Sequence, residues 1–334
     1  MSRVSVGSEV DTAPRATHPV LLMNPKSGGG KATRFRLADR CHGLGVEPVV
    51  LAPGDDLLQL AEDAIARGCD LLGMAGGDGS QALVASVAAR HRIPFVVVPA
   101  GTRNHFALDL GVGTGVVRSL SSFVDGHDVP VDLGEVNGRV FVNNASMGVY
   151  AELVRAPHAR EAKVRTAVEL LPDLVGPSAA RLDLRYRLPS GERATTAQVL
   201  LVSNNPYQLL PPRHRTGRPR LDGGLLGVVS VRVPGRAEAD EFAALDASGQ
   251  DERFPGWHEW TSTKLDVESG QPVALGVDGE ALTLDPPLHF VTRPRALVVR
   301  IPRRRTWPAR PLPVGSAPPS PFTALLRLAA DREA

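Results

Sequence analysis

The stretch Leu71–Ser80 constrains the fold of this chain more than any other. A short apolar run leads into a Gly-Gly-Asp-Gly-Ser sequence at 76–80, and apolar residues then recur at helical spacing through 81–90. The pattern predicts a strand, a glycine turn and a helix. Glycines allow positive φ angles and let backbone N–H groups approach a ligand, and a helix start favours negative charge. The turn therefore indicates a phosphate site, and a tight strand-to-helix turn without a ligand is the alternative.

Asp78 lies inside this turn and limits the kinds of ligand that the turn can bind. A carboxylate repels a bare phosphate, so we expect a metal ion, a water molecule or a hydroxyl group between the two. The turn is therefore interpreted as part of a larger site, to which other loops contribute.

Two further loops follow predicted buried strands of the same half. An Asn-Pro-Lys-Ser-Gly-Gly-Gly-Lys run at 24–31 follows the first strand, and it is no Walker A motif because Pro25 and Ala32 replace required residues. A Gly-Thr-Arg-Asn-His run at 101–105 follows the strand at 94–98. Ligands of open α/β sheets collect at the carboxyl ends of strands. Both loops are therefore candidate phosphate contacts; a flexible loop and, for His105, an ordinary histidine at a helix start are the alternatives.

Composition limits the class of protein. A chain of 334 residues with 43% hydrophobic and 22% charged residues is long enough for two globular domains. The net charge of only +2 gives no reason to expect a nucleic-acid partner. Two cysteines form neither a disulfide framework nor a metal cluster, and the apolar runs are too short to span a membrane. These features predict a cytoplasmic protein that would reach a lipid only from the membrane surface.

The pattern changes after residue 131, where short strands with Gly and Pro turns replace the alternation of strands and helices. Repeated βα units predict a doubly wound parallel sheet, and closely spaced short strands predict an antiparallel β-sandwich. We therefore divide the chain into a disordered leader (1–17), an α/β nucleotide-binding domain (18–131), a β-sandwich substrate domain (132–302) and a basic, proline-rich tail (303–334). A short helix in the tail is expected to pack on the first domain. Arginine clusters at 213–220 and 303–305 indicate either membrane docking or solvated loops.

Five motifs in this order resemble the catalytic domain of the diacylglycerol kinase family, which includes bacterial lipid kinases and the sphingosine and ceramide kinases. Each motif alone is weak, but the five together span most of the chain. They are Asn24-Pro25-Lys26-Ser27-Gly28, Gly76-Gly77-Asp78-Gly79-Ser80, Gly101-Thr102-Arg103-Asn104-His105-Phe106-Ala107, Val131-Asp132-Leu133-Gly134 with Asn143, and Val277-Asp278-Gly279-Glu280.

The resemblance implies that ATP and Mg²⁺ bind in a cleft between the two domains. Asp278 would be the general base on a lipid hydroxyl, with Glu280 beside it. Asp78 and Asp132 would belong to the carboxylate network around magnesium, and Asp78 would also take part in catalysis. The residues expected to bind the nucleotide, from the loops and the resemblance together, are Asn24, Ser27, Lys31, Gly76, Gly77, Gly79, Ser80, Gly101, Thr102 and Asn104.

Two positions depart from the family pattern. Ser80 stands where the family usually has threonine, and this keeps the hydroxyl group. His105 stands where the bacterial diacylglycerol kinases have an aspartate. An imidazole cannot supply the same negative charge to magnesium, which prefers oxygen ligands. Metal binding is therefore rearranged, or the substrate is not diacylglycerol, or the activity is weak.

We predict an ATP-dependent lipid kinase of lipid metabolism, such as phospholipid biosynthesis, that transfers the γ-phosphate to the hydroxyl of a diacylglycerol-like or long-chain-base lipid at a membrane surface. One alternative is a kinase of a soluble alcohol or an NAD-like substrate, and another is a nucleotide- or lipid-binding regulatory protein without catalysis. A homodimer is left open. The prediction requires that Asp78 and Asp278 line opposite walls of a single cleft.

Overall fold

The structure, a computed structural model, describes residues 13–148, 183–195, 197–208, 217–233, 235–248 and 250–303. The helices predicted at 159–171 and 321–330 and almost all of the predicted tail lie outside these residues. The labels below number the described elements in chain order. Within the described ranges, no helix is long and apolar enough to cross a membrane.

Four parallel strands build the first half of the chain. Three of these strands are apolar and have every residue buried, as expected for strands covered on both faces. In spatial order these strands are β2 (Glu47–Val50), β1 (Pro19–Met23), β3 (Leu71–Gly76) and β4 (Phe95–Pro99). The helices between and after them are α1 (Ser27–Arg34), α2 (Leu37–Leu44), α3 (Leu57–Ala66), α4 (Asp78–His91), α5 (His105–Asp109) and α6 (Val116–Ser119), followed by a 3₁₀ turn, Leu120–Phe123.

The first helical segment differs from its prediction. The sequence predicts one helix over 32–44 with Phe35 packing inward, whereas the structure has α1 and α2 with a break between them. Arg36 at the break has a φ of 51°, a left-handed conformation that ends regular helix geometry. Phe35 is 38% exposed, and Leu37 and Cys41 fill the interior instead.

Two long strands join the halves of the molecule. β5 (Gly126–Val136) and β16 (Leu288–Pro302) pair along most of their length, and β16 also lies parallel to β4. The resulting eight-stranded sheet has the order β2-β1-β3-β4-β16-β5-β6, with β6 (Arg139–Phe141) at its end and β13 (Lys264–Val267) paired to β16. The predicted boundary at 131/132 therefore falls inside β5. The strand predicted for the sandwich at 296–301 instead completes the first sheet, because its apolar residues are buried against β4 and β5.

The second half contributes a six-stranded antiparallel sheet. Its order is β12-β11-β10-β7-β14-β15, and a separate hairpin, β8–β9, lies beside it. Alternating apolar residues of this sheet and of β5, β6, β13 and β16 form a common core. The α/β-plus-β fold class is thus confirmed. The strands are β7 (Asn144–Gly148), β8 (Arg185–Arg187), β9 (Arg193–Thr195), β10 (Val199–Asn204), β11 (Leu226–Val231), β12 (Trp257–Ser262), β14 (Val273–Val277) and β15 (Glu280–Leu284), with helix α7 (Arg236–Ser248) and a 3₁₀ turn, Asp251–Arg253, after β11.

The last residues of the predicted leader are tied to the first domain. The backbone N–H of Ala13 donates to Gly126 O at 3.1 Å, and Thr17 donates to the Asp70 carboxylate through its backbone at 2.6 Å. Arg300 also donates to Pro14 O at 2.8 Å. The prediction of disorder is therefore wrong for residues 13–17, whose polar backbone is paired with the fold rather than with water alone.

Candidate active site

Glycines allow the loops after β3 and β4 to approach each other closely. The backbone N–H of Gly101 donates to Gly76 O at 3.0 Å. A Cβ atom on Gly101 would lie 2.4 Å from the Cα of Gly77, which is closer than any real Cβ contact. Only glycine at 101 therefore lets the two turns meet. As predicted, the first turn leads directly into α4, with Gly77 as its N-cap.

The loop after β1 also lies against the loops after β3 and β4. Gly28 has a φ of 54°, and a Cβ atom there would lie 2.2 Å from Ala100 O. The ammonium of Lys31 donates to Gly101 O at 2.5 Å, and the backbone N–H of Asn24 donates to Ala75 O at 3.0 Å. The structure thus brings three loops, distant in sequence, together at the carboxyl edge of one sheet, where ligands of α/β sheets bind.

Two buried polar atoms in these loops have no hydrogen-bond partner among the described residues: a hydroxyl that can donate to a phosphate oxygen, and an amide oxygen that can accept a donor from another part of a ligand. The Ser27 hydroxyl is buried and, among the described residues, has no hydrogen-bond partner. The amide of Asn104 donates to Gly101 O at 2.9 Å, while its oxygen lacks a partner within the same residues. Leaving a buried polar atom unsatisfied costs about 1–3 kcal/mol. A phosphate oxygen accepting from Ser27 would remove that cost, and Thr102 lies exposed in the neighbouring loop after β4.

Asp78 has a second role that the sequence did not suggest. Its carboxylate accepts the backbone N–H groups of His105 and Phe106, both at 3.0 Å, and so caps α5. Asp78 is 7% exposed. A carboxylate offers about four lone-pair directions, and these two backbone donors occupy two of them. His105 therefore belongs to this site through its backbone, whatever its side chain contributes.

Asp132 is fully buried in β5. Its carboxylate accepts the side-chain amide of Asn205 at 3.1 Å and the backbone N–H groups of Gly224 and Arg295 at 2.6 and 2.8 Å. These contacts hold together loops of the second half of the chain. Among the described residues, no three His, Cys, Asp or Glu side chains form a group that could hold a metal ion. The assignment of Asp132 to a magnesium network stays a prediction.

Asp278 lies in the turn between β14 and β15, where it has a φ of 45°. Its carboxylate accepts the backbone N–H groups of Val142, Asn143 and Asn144 at 2.7, 2.8 and 3.1 Å. Burial and, to a smaller extent, the negative charge of Asp78 raise the pKa of Asp278 to about 7, although the three hydrogen bonds act in the opposite direction. Burial therefore outweighs hydrogen bonding at this carboxylate.

Glu280 connects the Asp278 turn to the glycine turn. A Cβ atom on Gly79 would lie 3.0 Å from Oε1 of Glu280, so the side chain of Glu280 packs on the first turn of α4. Its other oxygen accepts from Arg139 at 2.5 Å. This contact, together with the effect of the Asp78 charge on the pKa of Asp278, indicates that the turn of Asp278 lies near the turn of Asp78. That Asp78 and Asp278 line opposite walls of a single cleft stays a prediction.

Asp109 and Arg218 are site neighbours that the sequence analysis missed. They form an ion pair of 2.7 Å between Nε and Oδ2, with side chains 0% and 9% exposed for Arg218 and Asp109. Arg218 belongs to the arginine cluster at 213–220, for which the sequence predicts a solvated loop or a membrane contact. No local pattern distinguishes it from Arg220, which stays exposed.

Known proteins resemble the chain in sequence and in fold. Residues 18–136 match the family described as the diacylglycerol kinase catalytic domain. A diacylglycerol kinase of Staphylococcus carnosus is 26% identical over 277 residues, which cover 78% of this chain and 87% of the relative. A diacylglycerol kinase of Staphylococcus aureus strain MRSA252 is 27% identical over 280 residues, covering 78% and 85%.

A solved structure has a similar fold. The crystal structure of a diacylglycerol kinase from Bacillus anthracis str. Sterne superposes with a TM-score of 0.63 at 18% identity and covers 87% of this chain and 99% of that one. This likeness concerns the fold alone. It agrees with a fold made of an α/β part followed by antiparallel sheets.

Proposed function

We infer that this chain, whose residues 18–136 match the diacylglycerol kinase catalytic domain, is a lipid kinase of that family. We propose that it transfers the γ-phosphate of ATP to the hydroxyl of a diacylglycerol-like or long-chain-base lipid at a membrane surface. The observation that supports this best is the position of Asp278, a buried carboxylate with a pKa of about 7, across from the glycine turn of Asp78.

The three loops of the first half would hold the nucleotide. Ser27 and Thr102 would donate to phosphate oxygens through their hydroxyls, and Lys31 would add a positive charge. The start of α4, with Gly77 and Gly79 free of side chains, would face the negative phosphates. The further nucleotide contacts proposed here are Asn24, Gly76, Ser80, Gly101 and Asn104.

The hydroxyl of Ser27, which has no partner among the described residues, fits a phosphate of ATP, and the carboxylate oxygens of Asp78 fit a magnesium ion. Magnesium, when bound, would offset the charge of the β- and γ-phosphates. Asp78 would hold this ion on the phosphate side. Asp132 remains a more remote candidate because its carboxylate already accepts three protein donors.

Asp278 would take the proton of the lipid hydroxyl. General-base catalysis requires a group whose pKa lies near the working pH, and burial raises the pKa of Asp278 to about 7. The three backbone N–H groups of 142–144 fix where its oxygens lie. Glu280, placed between this turn and α4, would orient the hydroxyl while its own charge is partly balanced by Arg139.

The proposal is tested with labelled ATP, magnesium and a total lipid extract, by comparing the wild-type protein with Asp278→Asn. We expect about 10³-fold slower labelling of lipid by the variant, since a general base contributes roughly 10²–10⁴-fold. Asp285→Asn, a change at an exposed residue just beyond β15, is the matched control and should label lipid at the wild-type rate.

Equal labelling by wild type and Asp278→Asn would remove Asp278 as the base. Label that enters only a water-soluble alcohol or dinucleotide would favour the soluble-substrate kinase. ATP binding without labelling of either fraction would favour a regulatory protein without catalysis.

A further inference from the structure

A chain of buried contacts connects the two proposed walls of the active site through the short helix α5. The first residues of α5 donate their backbone N–H groups to Asp78 on the phosphate side. The last residue of α5, Asp109, accepts from the guanidinium of Arg218 at 2.7 Å. The helix α5 therefore lies between the glycine turn and a buried cation of the second half of the chain.

The same guanidinium holds the segment that holds Asp278. Nη1 of Arg218 donates to Val142 O at 2.5 Å, and Nη2 donates to Oδ1 of Asn143 at 2.7 Å. The backbone N–H groups of these two residues are among the three that bind the Asp278 carboxylate. Arg218 thus contacts one side of the 142–144 segment while Asp278 occupies the other.

The third residue of the segment is fixed by a neighbour of Arg218. The side-chain amide of Asn144 donates to the hydroxyl of Tyr207 at 3.2 Å. The guanidinium carbon of Arg218 lies 5.4 Å from the centre of the Tyr207 ring, within range of a cation–π contact. Nη1 of Arg218 also donates to Asn204 O at 2.8 Å. All three residues that hold Asp278 are therefore tied to Arg218, directly or through Tyr207.

The buried pair of Arg218 and Asp109 lowers the stability of the fold unless all its hydrogen bonds are made. Removing two charges from water is offset only when the ions pair closely and the remaining donors find acceptors. The planar guanidinium reaches Asp109, two carbonyls and the Asn143 amide at the same time, which a lysine ammonium with three donors at one point cannot reproduce. A fully satisfied buried network of this kind fixes geometry.

We propose that Arg218 and Asp109 are positioning residues for phosphoryl transfer, which together fix the Asp278 carboxylate relative to the glycine turn of Asp78. The inference rests on the proposed kinase function and adds to it a pair of residues that touch neither ATP nor the reacting hydroxyl. A misplacement of about 1 Å at a catalytic group can cost about 100-fold in rate. The pair should therefore act on kcat rather than on nucleotide binding.

The first test compares Arg218→Lys with Arg220→Lys. Both changes keep the positive charge, but Arg220 is exposed and pairs with nearby Asp222 at 3.0 Å. We expect Arg218→Lys to lower kcat by about 100-fold and to leave the KM for MgATP within about twofold. The reason is that the guanidinium of Arg218 bonds to Asp109, to the 142–143 segment and to Asn204, which lie outside the three loops around Ser27. Arg220→Lys should match the wild type in both.

Two outcomes of this comparison would overturn the inference. One is a kcat for Arg218→Lys within about threefold of the value for Arg220→Lys. The other is a parallel loss of kcat and ATP affinity together with a lower Tm, which indicates a general structural role. A second variant, Asp109→Asn, should show the same split between kcat and KM.

Hydrogen exchange provides a readout that does not need turnover. We expect Arg218→Lys to speed exchange of the backbone amides at 142–144 by about tenfold or more, with unchanged exchange in β1 and β3. Unchanged exchange at 142–144 would refute positioning through this segment. If wild type labels no substrate but the exchange changes as expected, the proposed kinase function fails and the fixing of Asp278 by Arg218 stands.

Discussion

The two carboxylates at the centre of the site are held in a similar way but in different surroundings. Asp78 accepts two backbone N–H groups at the start of α5, and Asp278 accepts three from the segment 142–144. Such hydrogen bonds favour the charged form of a carboxylate and usually lower its pKa. At Asp278 burial raises the pKa to about 7 in spite of them. Backbone donors can therefore fix a base in place without making it too weak to accept a proton.

The surrounding scaffolds differ as well. The Asp78 side is made of three strand-to-helix loops that approach each other because they are rich in glycine. The Asp278 side is made of hairpins in an antiparallel sheet, with a buried ion pair behind it. The first arrangement exposes backbone donors to a ligand, and the second uses backbone donors internally to position one side chain. Each of the following predictions tests one part of this contrast.

The largest effect in this set is expected at Gly28 on the phosphate side. Gly28→Ala places a Cβ atom 2.2 Å from Ala100 O, so the loops around Ser27 must separate. We expect ATP affinity to fall by about 100-fold, which corresponds to about 2.7 kcal/mol, as measured by calorimetry.

Gly29→Ala is the matched control for this change. Gly29 has a similar φ of 70°, but a Cβ atom there would meet nothing within 4 Å. Its cost is limited to the left-handed backbone conformation, about 1–2 kcal/mol per residue, without separation of the loops. Equal ATP affinities for the two variants would show that the close approach of the loops does not matter for binding.

The pH dependence of kcat tests the base side. With a pKa of about 7 for Asp278, the rate should fall about tenfold per pH unit below that value, because the protonated carboxyl cannot accept a proton. The charged or titratable groups that influence Asp278 are Asp78, Tyr207 and Arg218. A kcat that falls only below about pH 4 would contradict the raised pKa of Asp278, since it would mean that hydrogen bonding outweighs burial.

Stability should change in the opposite direction over the same pH range. The folded pKa of about 7 lies above the ordinary value of 3.8, so between these values the folded state binds more protons than the unfolded state. The free energy of unfolding contributed by this group therefore decreases as pH rises from about 4 to 7. Denaturant unfolding of wild type and Asp278→Asn at pH 5 and pH 8 measures this contribution. The free energy of unfolding of the variant relative to the wild type should be higher at pH 8 than at pH 5. The same difference at both pH values would refute the raised pKa.

The smallest effect is expected at Glu280. Its ion pair with Arg139 is more than one third exposed on both sides, so it contributes at most about 1 kcal/mol to stability. We expect Glu280→Gln to lower kcat by about threefold to tenfold through poorer orientation of the acceptor hydroxyl, with little change in Tm. Asp39→Asn, which removes an exposed ion pair on α2, should match its small stability effect and leave kcat unchanged. A loss as large as that of Asp278→Asn would make Glu280 an equal candidate for the base.

Much of the site could be predicted because its signals are local. The glycine turn, the two loops after β1 and β4 and the Asp-Gly turn at 278–279 are each specified by neighbouring residues. The three loops of the first half meet because parallel strands present their carboxyl ends at one edge of the sheet. That rule does not cover the turn at 278–279, which joins two antiparallel strands of the other sheet. The break at Phe35 was missed because the apolar spacing of 32–44 suits one helix, and only the left-handed Arg36 shows that the chain turns there.

The sequence by itself determined the alternation of elements, the fold class and the two carboxylates, because turn chemistry and hydrophobic period act over a few residues. Only the tertiary structure decided that β16 returns to complete the first sheet and that Arg218 is buried while Arg220 stays in water. It also decided that Asp132 is satisfied by protein donors. These outcomes depend on partners up to about 200 residues away. A side chain's surroundings at that range are set by how whole sheets pack, and no local pattern carries that information.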